Sequence, residues 1–406
     1  MADGTSLLTT AAAAQLLTAV VGPSASIKSW CLDHVDADPG RAVTATYRVD
    51  VASDGRVSRQ TIGCTVRTAG LTAADRRAEV VQSGSQQVAC WVYPDDPDLP
   101  GLRRASDPVA LAALLRQVDV APRLRAANLR LDLIGYRPRR RAVFRARLAD
   151  RDQTVYLKVL RPSHFEAVVR RHRLLEAAGT PSPRVLATTD DHLLVIAETP
   201  GTPLARAVFE PTPPVAGQQL IALLDAMPPT VAQLGRRPPW ASAVAHYAGI
   251  VQTALPELRP VLDRLGGQIE RGLAGRPPGN EPTHGDFYEA QVFVRAGAVS
   301  GLIDIDTIGP GRRVDDLACL VAHLHCIQRM NQSQSRHIRR LLAAWMPAFD
   351  RRVDPVELRL RAAAVVISLA TGPYRGQEPD WRRETTRMIT QAETLVDWAQ
   401  SLSPRL

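Results

Sequence analysis

Three side chains in the stretch THGDFYEAQVFVRAGAVSGLIDIDTIGPGRRVDDLA could serve one reaction. Gln291 follows Asp286 by five residues, and Asp304 follows Asp286 by eighteen. An acid, a carboxamide and a second acid are the groups that ATP-dependent phosphoryl transfer needs. One carboxylate orients the attacking hydroxyl and accepts its proton, while a carboxamide oxygen and another carboxylate hold magnesium against the nucleotide phosphates. Upstream, Lys158 sits in the apolar run VYLKVL, and Lys28 and Lys158 are the lysines of an arginine-rich chain. A compact ammonium therefore stands at 158 where arginine was plainly available. A lysine on a central strand is the expected anchor of the α- and β-phosphates.

These groups need elements to bring them together. Val292–Val294 and Val299–Ile305 are apolar runs flanking Arg295-Ala296-Gly297, which predicts a β-hairpin. Asp286 then lies on the loop entering the hairpin, Gln291 at the start of its first strand and Asp304 near the end of the second. Antiparallel pairing gathers the three into one metal-sized volume. Asp315 and Asp316 could cap a helix starting near Leu317, with a part for Asp316 in the site the equal alternative. Around Lys158, strands are expected at Leu131–Ile134, Ala142–Leu148 and Val155–Leu160. A helix from Ser163 to about Ala178 follows, then further strands through Leu193–Ala197. Ser163-His164-Phe165-Glu166 reads as a capping box.

The segment around His284-Gly285-Asp286 resembles the catalytic core of the aminoglycoside phosphotransferase and choline kinase superfamily, which shares the protein kinase-like fold. The kinase loop H-R-D-x-x-x-x-N has the same internal spacing, with Gly285 here in place of its Arg. The resemblance covers roughly residues 130 to 400. It implies Asp286 as catalytic base, Gln291 and Asp304 as magnesium ligands, and ATP with Mg2+ as cofactors. The family usually has Asn where this chain has Gln291; Gln offers the same acceptor oxygen on a stem one methylene longer. The lysine of such kinases is held by a glutamate from the next helix. Glu166, His172 and Glu176 compete for that place, and the reading leans to Glu176. The hinge is expected at Ala197-Glu198-Thr199, with Glu198 beside the nucleotide and Pro200-Gly201 as the turn after it. A Gly-rich phosphate loop is missing. Its place is taken by Tyr136-Arg137-Pro138-Arg139-Arg140-Arg141, so arginine side chains, Arg140 among them, are expected to reach the phosphates. Acceptor specificity is expected from Tyr288, Glu289 and Trp381, with Asp380 and Glu384 as further candidates.

Composition narrows the class. Charge and apolar content are those of an ordinary globular protein. Five scattered cysteines without a C-x-x-C pair indicate neither a zinc site nor a disulfide framework, so a reducing cytoplasm is the expected home. The apolar stretch Ala11–Val21 is too short to span a bilayer and reads as a short helix. A net charge of +9 invites a nucleic-acid partner, yet no nucleic-acid-binding motif accompanies it. The expected partners are a nucleotide and a small-molecule acceptor, with neither nucleic acid nor membrane.

Before the small lobe lies a β-rich extension. Ala42–Val51 and Val57–Val66 flank Ser53-Asp54-Gly55 and predict a hairpin, and Ser106-Asp107-Pro108 opens a helix. WCLDHVDADPGRAVTATYRV resembles LDLIGYRPRRRAVFRARL, with Pro39 opposite Pro138 and Ala42-Val43 opposite Ala142-Val143. On that alignment the place of Lys158 falls near Cys64, as in a degenerate duplication of the small lobe; two unrelated Pro-turn hairpins would look the same. The expected fold is α+β and kinase-like. Residues 1–105 form the extension, 106–126 a connecting helix, 127–200 a β-rich small lobe and 201–406 a mainly helical large lobe. Bacterial maltokinases and similar sugar kinases carry an N-terminal cap, so the extension favours a sugar or metabolite acceptor over an aminoglycoside. The alternative is a catalytically weak or inactive kinase-fold binding protein.

Overall fold

Local chemistry starts many of the elements in the computed structural model, which describes residues 4–38, 40–210, 212–327 and 330–403. By internal contacts the chain forms two units. One comprises residues 1–169, 185–198 and 375–378, the other 170–184, 199–374 and 379–406. The passage at Glu198 and Thr199 falls in the stretch read as the hinge.

In the first unit, helices α1 (Thr5–Thr9) and α2 (Ala13–Val21) precede strands β1 (Ser26–Asp38), β2 (Ala42–Ser53), β3 (Arg56–Arg67), β4 (Glu79–Ser83) and β5 (Gln86–Val92). Asp54 and Gly55 both take positive φ between β2 and β3, the conformation a two-residue hairpin turn requires. Next come α3 (Leu102–Ser106) and α4 (Pro108–Gln117). The Asp107 carboxylate caps α4 by accepting from the N–H groups of Val109 and Ala110 at 2.7 and 3.0 Å, ahead of Pro108 at its first turn. A second sheet holds β6 (Leu129–Arg137), β7 (Arg141–Leu148), β8 (Gln153–Leu160), β9 (Val185–Thr188) and β10 (Leu193–Ala197), with helix α5 (Pro162–Ala177) between β8 and β9. Leu99, Leu102, Leu111, Leu115 and Leu124 share one core with this sheet, so the connecting segment packs as part of it. The extension has its own core of Leu8, Leu16, Leu17, Tyr47 and Ile62 with their neighbours.

The two sheets repeat one topology. The first runs β1-β2-β3-β5-β4 and the second β6-β7-β8-β10-β9, so each follows the order first, second, third, fifth, fourth. Where the second has α5, the first has only a turn at Asp75–Arg77. Register corrects the sequence alignment. Val143 pairs with Lys158, and its counterpart Val43 pairs with Val66. The place of Lys158 in the first sheet is therefore Val66, 2% exposed, and not Cys64, which faces Cys90 at 3.0 Å between sulfurs. Pro39 lies outside the described residues.

The second unit is mainly helical. It contains β11 (Thr202–Pro203), α6 (Leu204–Ala207), α7 (Gly217–Asp225), α8 (Val244–Ala254), α9 (Arg259–Leu273), β12 (Glu281–Thr283), β13 (Val292–Arg295), β14 (Ala298–Leu302) and β15 (Gly309–Gly311). Helices α10 (Arg313–Cys326), α11 (Gln332–Arg352), α12 (Pro355–Leu369), α13 (Gly372–Arg375) and α14 (Trp381–Leu402) follow. Helix α12 is buried along most of its length, as the central element of a bundle must be. The unit's core joins α10, α11, α12 and α14 to the hairpin residues Val292, Val294 and Leu302. No described helix is long and apolar enough to cross a membrane.

Candidate active site

The expected hairpin forms. β13 and β14 pair antiparallel, with Val292 opposite Leu302, and the Ile303 N–H donates to the Gln291 carbonyl at 2.8 Å beyond the last pair. This pairing carries Gln291 and Asp304 to one end, where the Gln291 Nε2 donates to Asp304 Oδ2 at 3.4 Å. Gln291 is buried and Asp304 half-buried. Asp304 has φ +53, an uncommon left-handed conformation for a residue with a side chain. It turns the chain off the strand.

The loop bearing Asp286 is fastened from several sides. The Asp316 carboxylate accepts from the N–H of His284 at 2.9 Å and of Gly285 at 2.8 Å, and pairs with Arg313 at 3.2 Å. This decides against the reading of Asp316 as a helix cap. Helix α10 starts earlier, at Arg313, and Asp315 takes the capping place by accepting from the Arg312 N–H at 3.3 Å. Asp316, 1% exposed, is thereby free to face the loop. Its burial raises the carboxyl pKa against the lowering influence of Arg313 and the two donated N–H groups. On the other side, Thr307 Oγ1 donates to the His284 carbonyl at 2.8 Å, and the His284 Nε2 meets the Ile303 carbonyl at 3.0 Å. Gly285, where protein kinases have Arg, has φ +80, and a Cβ there would stand 2.8 Å from the Thr307 carbonyl. The loop's close approach to Thr307 excludes any larger residue.

Helix α10 runs beside this loop with one face. Asp316, Cys319, His323 and Cys326 follow the helical period, and the first three meet successive loop residues. Cys319, 1% exposed, donates its thiol to Asp286 Oδ1 at 3.9 Å; burial and the Asp286 charge raise its pKa. His323 stacks on Tyr288, with centroids 3.9 Å apart and planes at 18°, and burial lowers its pKa to about 4. A neutral imidazole thus backs the Tyr288 ring. Burial, and then the charges of Asp286, Asp304 and Glu289, raise the Tyr288 phenol, which puts Tyr288 in the field of both site carboxylates. Of this face only Asp316 was singled out from the sequence, as a cap or a part of the site. The i, i+3, i+7, i+10 spacing of polar residues in DDLACLVAHLHC was the signal that marked the rest.

Glu289 is 8% exposed, and its Oε2 has no hydrogen-bond partner. Burial pushes its carboxyl from 4.5 up to about 7. Between those values the folded chain holds a proton that the unfolded chain releases, so stability from this group is full below about pH 4.5 and is lost as pH rises through about 7. Glu289→Gln is expected to stabilise the fold by up to about 3 kcal/mol at pH 8 and hardly at all at pH 4. Urea unfolding at the two pH values measures this; an equal effect at both would show that ionisation of Glu289 is not the cause.

The other expected residues divide. Lys158 lies on β8, 6% exposed, paired with Val143 and Leu194 on the strands either side. Glu176 is exposed in the last turn of α5, off the face that buries Phe165, Val168, His172 and Leu175. Glu166 is exposed as well, and α5 starts at Pro162 rather than through a Ser163 capping box. His172 is the buried ionisable residue of α5. It meets the Pro183 carbonyl at 3.2 Å and lies 3.9 Å from Asp306, while Arg171 donates to the Ile308 carbonyl at 3.1 Å. This end of α5 therefore braces the turn that follows Asp304.

Arg140 pairs with Asp36 of the extension at 2.8 Å, a partner that sequence reasoning did not foresee. Glu198 is exposed immediately after β10. Gly201 follows with φ +109, and a Cβ there would meet Val294 O at 2.7 Å, which accounts for glycine after the hinge. Trp381 packs on Tyr374, with centroids 5.0 Å apart, and lies under Arg382. Asp380 and Glu384 pair with Arg383 and Arg387. Asp380 is exposed and Trp381 half-buried at the start of α14, each beside an arginine.

Solved structures share the fold. The choline kinase of Cryptosporidium parvum Iowa II is similar over 73% of this chain and 97% of its own, at 11% identity and TM-score 0.50. A thermostable mutant of the aminoglycoside phosphotransferase APH(4)-Ia, in ternary complex with AMP-PNP and hygromycin B, is similar over 71% of this chain and 98% of its own, at 13% identity and TM-score 0.50. Likeness at such identities shows the protein kinase-like fold. No curated protein sequence matches the chain. The APH family model matches residues 139–352, more than half of the chain and the span that holds Lys158, Asp286, Gln291 and Asp304; the chain belongs to the phosphotransferase enzyme family.

Proposed function

We propose that this protein transfers the γ-phosphoryl group of ATP to a hydroxyl of a small molecule, namely a sugar, an amino sugar or an aminoglycoside-like compound. The observation that carries this reading is one hairpin gathering Gln291 and Asp304 within 3.4 Å, next to a loop that Asp316 pins under Asp286. Asp286 orients the acceptor hydroxyl and takes its proton as the oxygen bonds to the γ-phosphorus. The bond from that phosphorus to the bridging oxygen breaks, and the nucleoside diphosphate leaves with the electron pair. Lys158 grips the α- and β-phosphates.

Among the described residues no three His, Cys, Asp or Glu side chains form a metal cage. Magnesium does not need one, since it is commonly held by one or two carboxylates together with substrate phosphates. A carboxylate at Asp304 and a carboxamide oxygen at Gln291 fit that pattern. When bound, the ion neutralises charge on the transferring group. Because Gln291 replaces the family's usual Asn, Gln291→Ala is expected to raise the magnesium requirement several-fold and to leave metal-free nucleotide binding unchanged. Titration of activity and binding with magnesium checks this; equal effects on both would remove Gln291 from the metal site.

Tyr288 and Glu289 lie beside Asp286 and are proposed to meet the acceptor. Residues 127–200 are read as the small lobe, 201–406 as the large lobe and 1–105 as a cap reached through 106–126, acting in the cytoplasm. The cap favours sugars and related metabolites. The direct test is magnesium-dependent ATP consumption across sugars, amino sugars, aminoglycosides and choline, with Asp286→Ala as control. Absence of both acceptor-dependent turnover and a nucleotide-induced melting shift rejects the reading, and a shift without turnover on a broad panel supports the kinase-fold binding protein instead.

A further inference from the structure

The turn joining β6 and β7 stands where kinases of this fold carry the glycine loop over the phosphates. It contains Arg139 at φ +63, a left-handed conformation that a residue with a side chain keeps only where its surroundings hold it. The surroundings come from upstream of the small-lobe sheet. The Arg139 N–H donates to Asp96 Oδ2 at 2.7 Å, and its Nε donates to Asp98 at 2.9 Å. Its Nη1 donates to Asp75, which is fully buried and also accepts from Arg67 at 2.8 Å and from the Thr72 N–H and hydroxyl at 2.6 Å each. Burial alone would push the Asp75 carboxyl up, but these donors outweigh it and hold it well below the usual range. The Tyr136 hydroxyl donates to the same Asp96 oxygen at 2.7 Å and accepts from Trp91 Nε1 at 3.0 Å, while Arg139 lies over the Trp91 ring at 5.7 Å. At the exposed end Asp36 of β1 pairs with Arg140 at 2.8 Å and with Arg375 at 2.9 Å.

We infer that the N-terminal extension is a clamp on this turn. Asp75, Asp96 and Asp98 lock Arg139, and through it the turn's backbone, into the conformation that receives the nucleotide. A glycine loop obtains left-handed geometry without strain and remains mobile. Here an arginine obtains it only while the extension's carboxylates are in place, so nucleotide affinity depends on residues from outside the kinase-like fold. Arg139 is a positioning residue whose guanidinium is spent on the extension. The inference rests on the proposed nucleotide site and deepens it.

The test uses the full chain with Mg·ADP as probe. Asp98→Asn keeps the buried Arg139–Asp75 pair and so should fold; Arg139→Lys keeps the charge but loses the forked contact. Both are expected to raise the Kd for Mg·ADP about 5- to 50-fold and the KM for ATP similarly, with the acceptor KM little changed. Amide hydrogen exchange at residues 136–141 is expected to quicken while β7 and β8 keep their protection. Arg140→Gln, at the exposed end, should have the smaller effect. Variants that lose thermal stability yet bind Mg·ADP as the wild type does would overturn the clamp while leaving the kinase reading intact. A wild type that does not bind Mg·ADP would overturn both.

Discussion

Asp286→Asn is expected to lower kcat for acceptor-dependent ATP consumption by about 10²- to 10⁴-fold, the usual contribution of a positioned general base, with Kd for Mg·ADP within a few-fold of the wild type. The carboxamide keeps the shape of the side chain but cannot take the hydroxyl proton. Asp286 is half-buried, and the loop's fastening lies elsewhere, in Asp316 and Thr307, so the variant should fold. Cys319 supplies a second readout. Its thiol is raised by burial and by the Asp286 charge, so removing that charge should lower the thiol pKa and quicken its slow reaction with a small alkylating agent. Unchanged kcat in Asp286→Asn would take Asp286 out of the chemistry.

Asp316→Ala is expected to destabilise the second unit by about 3–5 kcal/mol, the usual result of stripping one partner from a buried, hydrogen-bonded charge pair. It leaves the buried N–H of His284 and the half-buried N–H of Gly285 without their acceptor. Arg313 keeps Asp225 at 3.1 Å and the Leu224 carbonyl at 2.9 Å, so part of its charge stays compensated. Against a total stability of about 5–15 kcal/mol for a domain, the loss is severe. Asp316→Asn separates folding from function. It retains an acceptor oxygen but turns an NH2 toward one of the donors, so it should fold with a smaller penalty. Its kcat should nevertheless fall by about 10²-fold, because a shift near 1 Å in a catalytic group has that consequence. Denaturant unfolding and steady-state kinetics on both variants measure the two effects. Normal kcat in a folded Asp316→Asn would show that the loop does not depend on this anchor.

Much of the chain's local order was legible because single positions dictate it. Asp107 ahead of Pro108 starts α4, and Asp54-Gly55 closes the β2–β3 hairpin, each from side-chain and backbone chemistry within a few residues. What failed to read were partnerships across long separations. Asp316 looks like a cap because acids commonly begin helices; only the start of α10 at Arg313 moves it one step past the cap and onto the loop thirty-odd residues upstream. Nothing in the local sequence announces that Arg140 pairs with Asp36, about a hundred residues away. Trp381 and Glu384 meet the arginines Arg382 and Arg387 of their own helix, which the sequence reading left out.

The sequence alone determined the family and the reaction class. Gln291 and Asp304 flank a hairpin whose apolar strands and tight Ala296-Gly297 turn are local facts, so their spacing carries over directly into proximity, with Asp286 on the loop leading in. Tertiary structure decided the rest. It identified what holds the loop bearing Asp286 and which face of α10 lines it, and it showed the extension as a second sheet of the same strand order, with Val66 at the place of Lys158. It also drew three carboxylates from that region onto Arg139. The physical reason is that burial turns ordinary acids and arginines into committed partners. Which carboxylate meets which guanidinium depends on how sheets and helices pack, and no window of neighbouring residues contains that information.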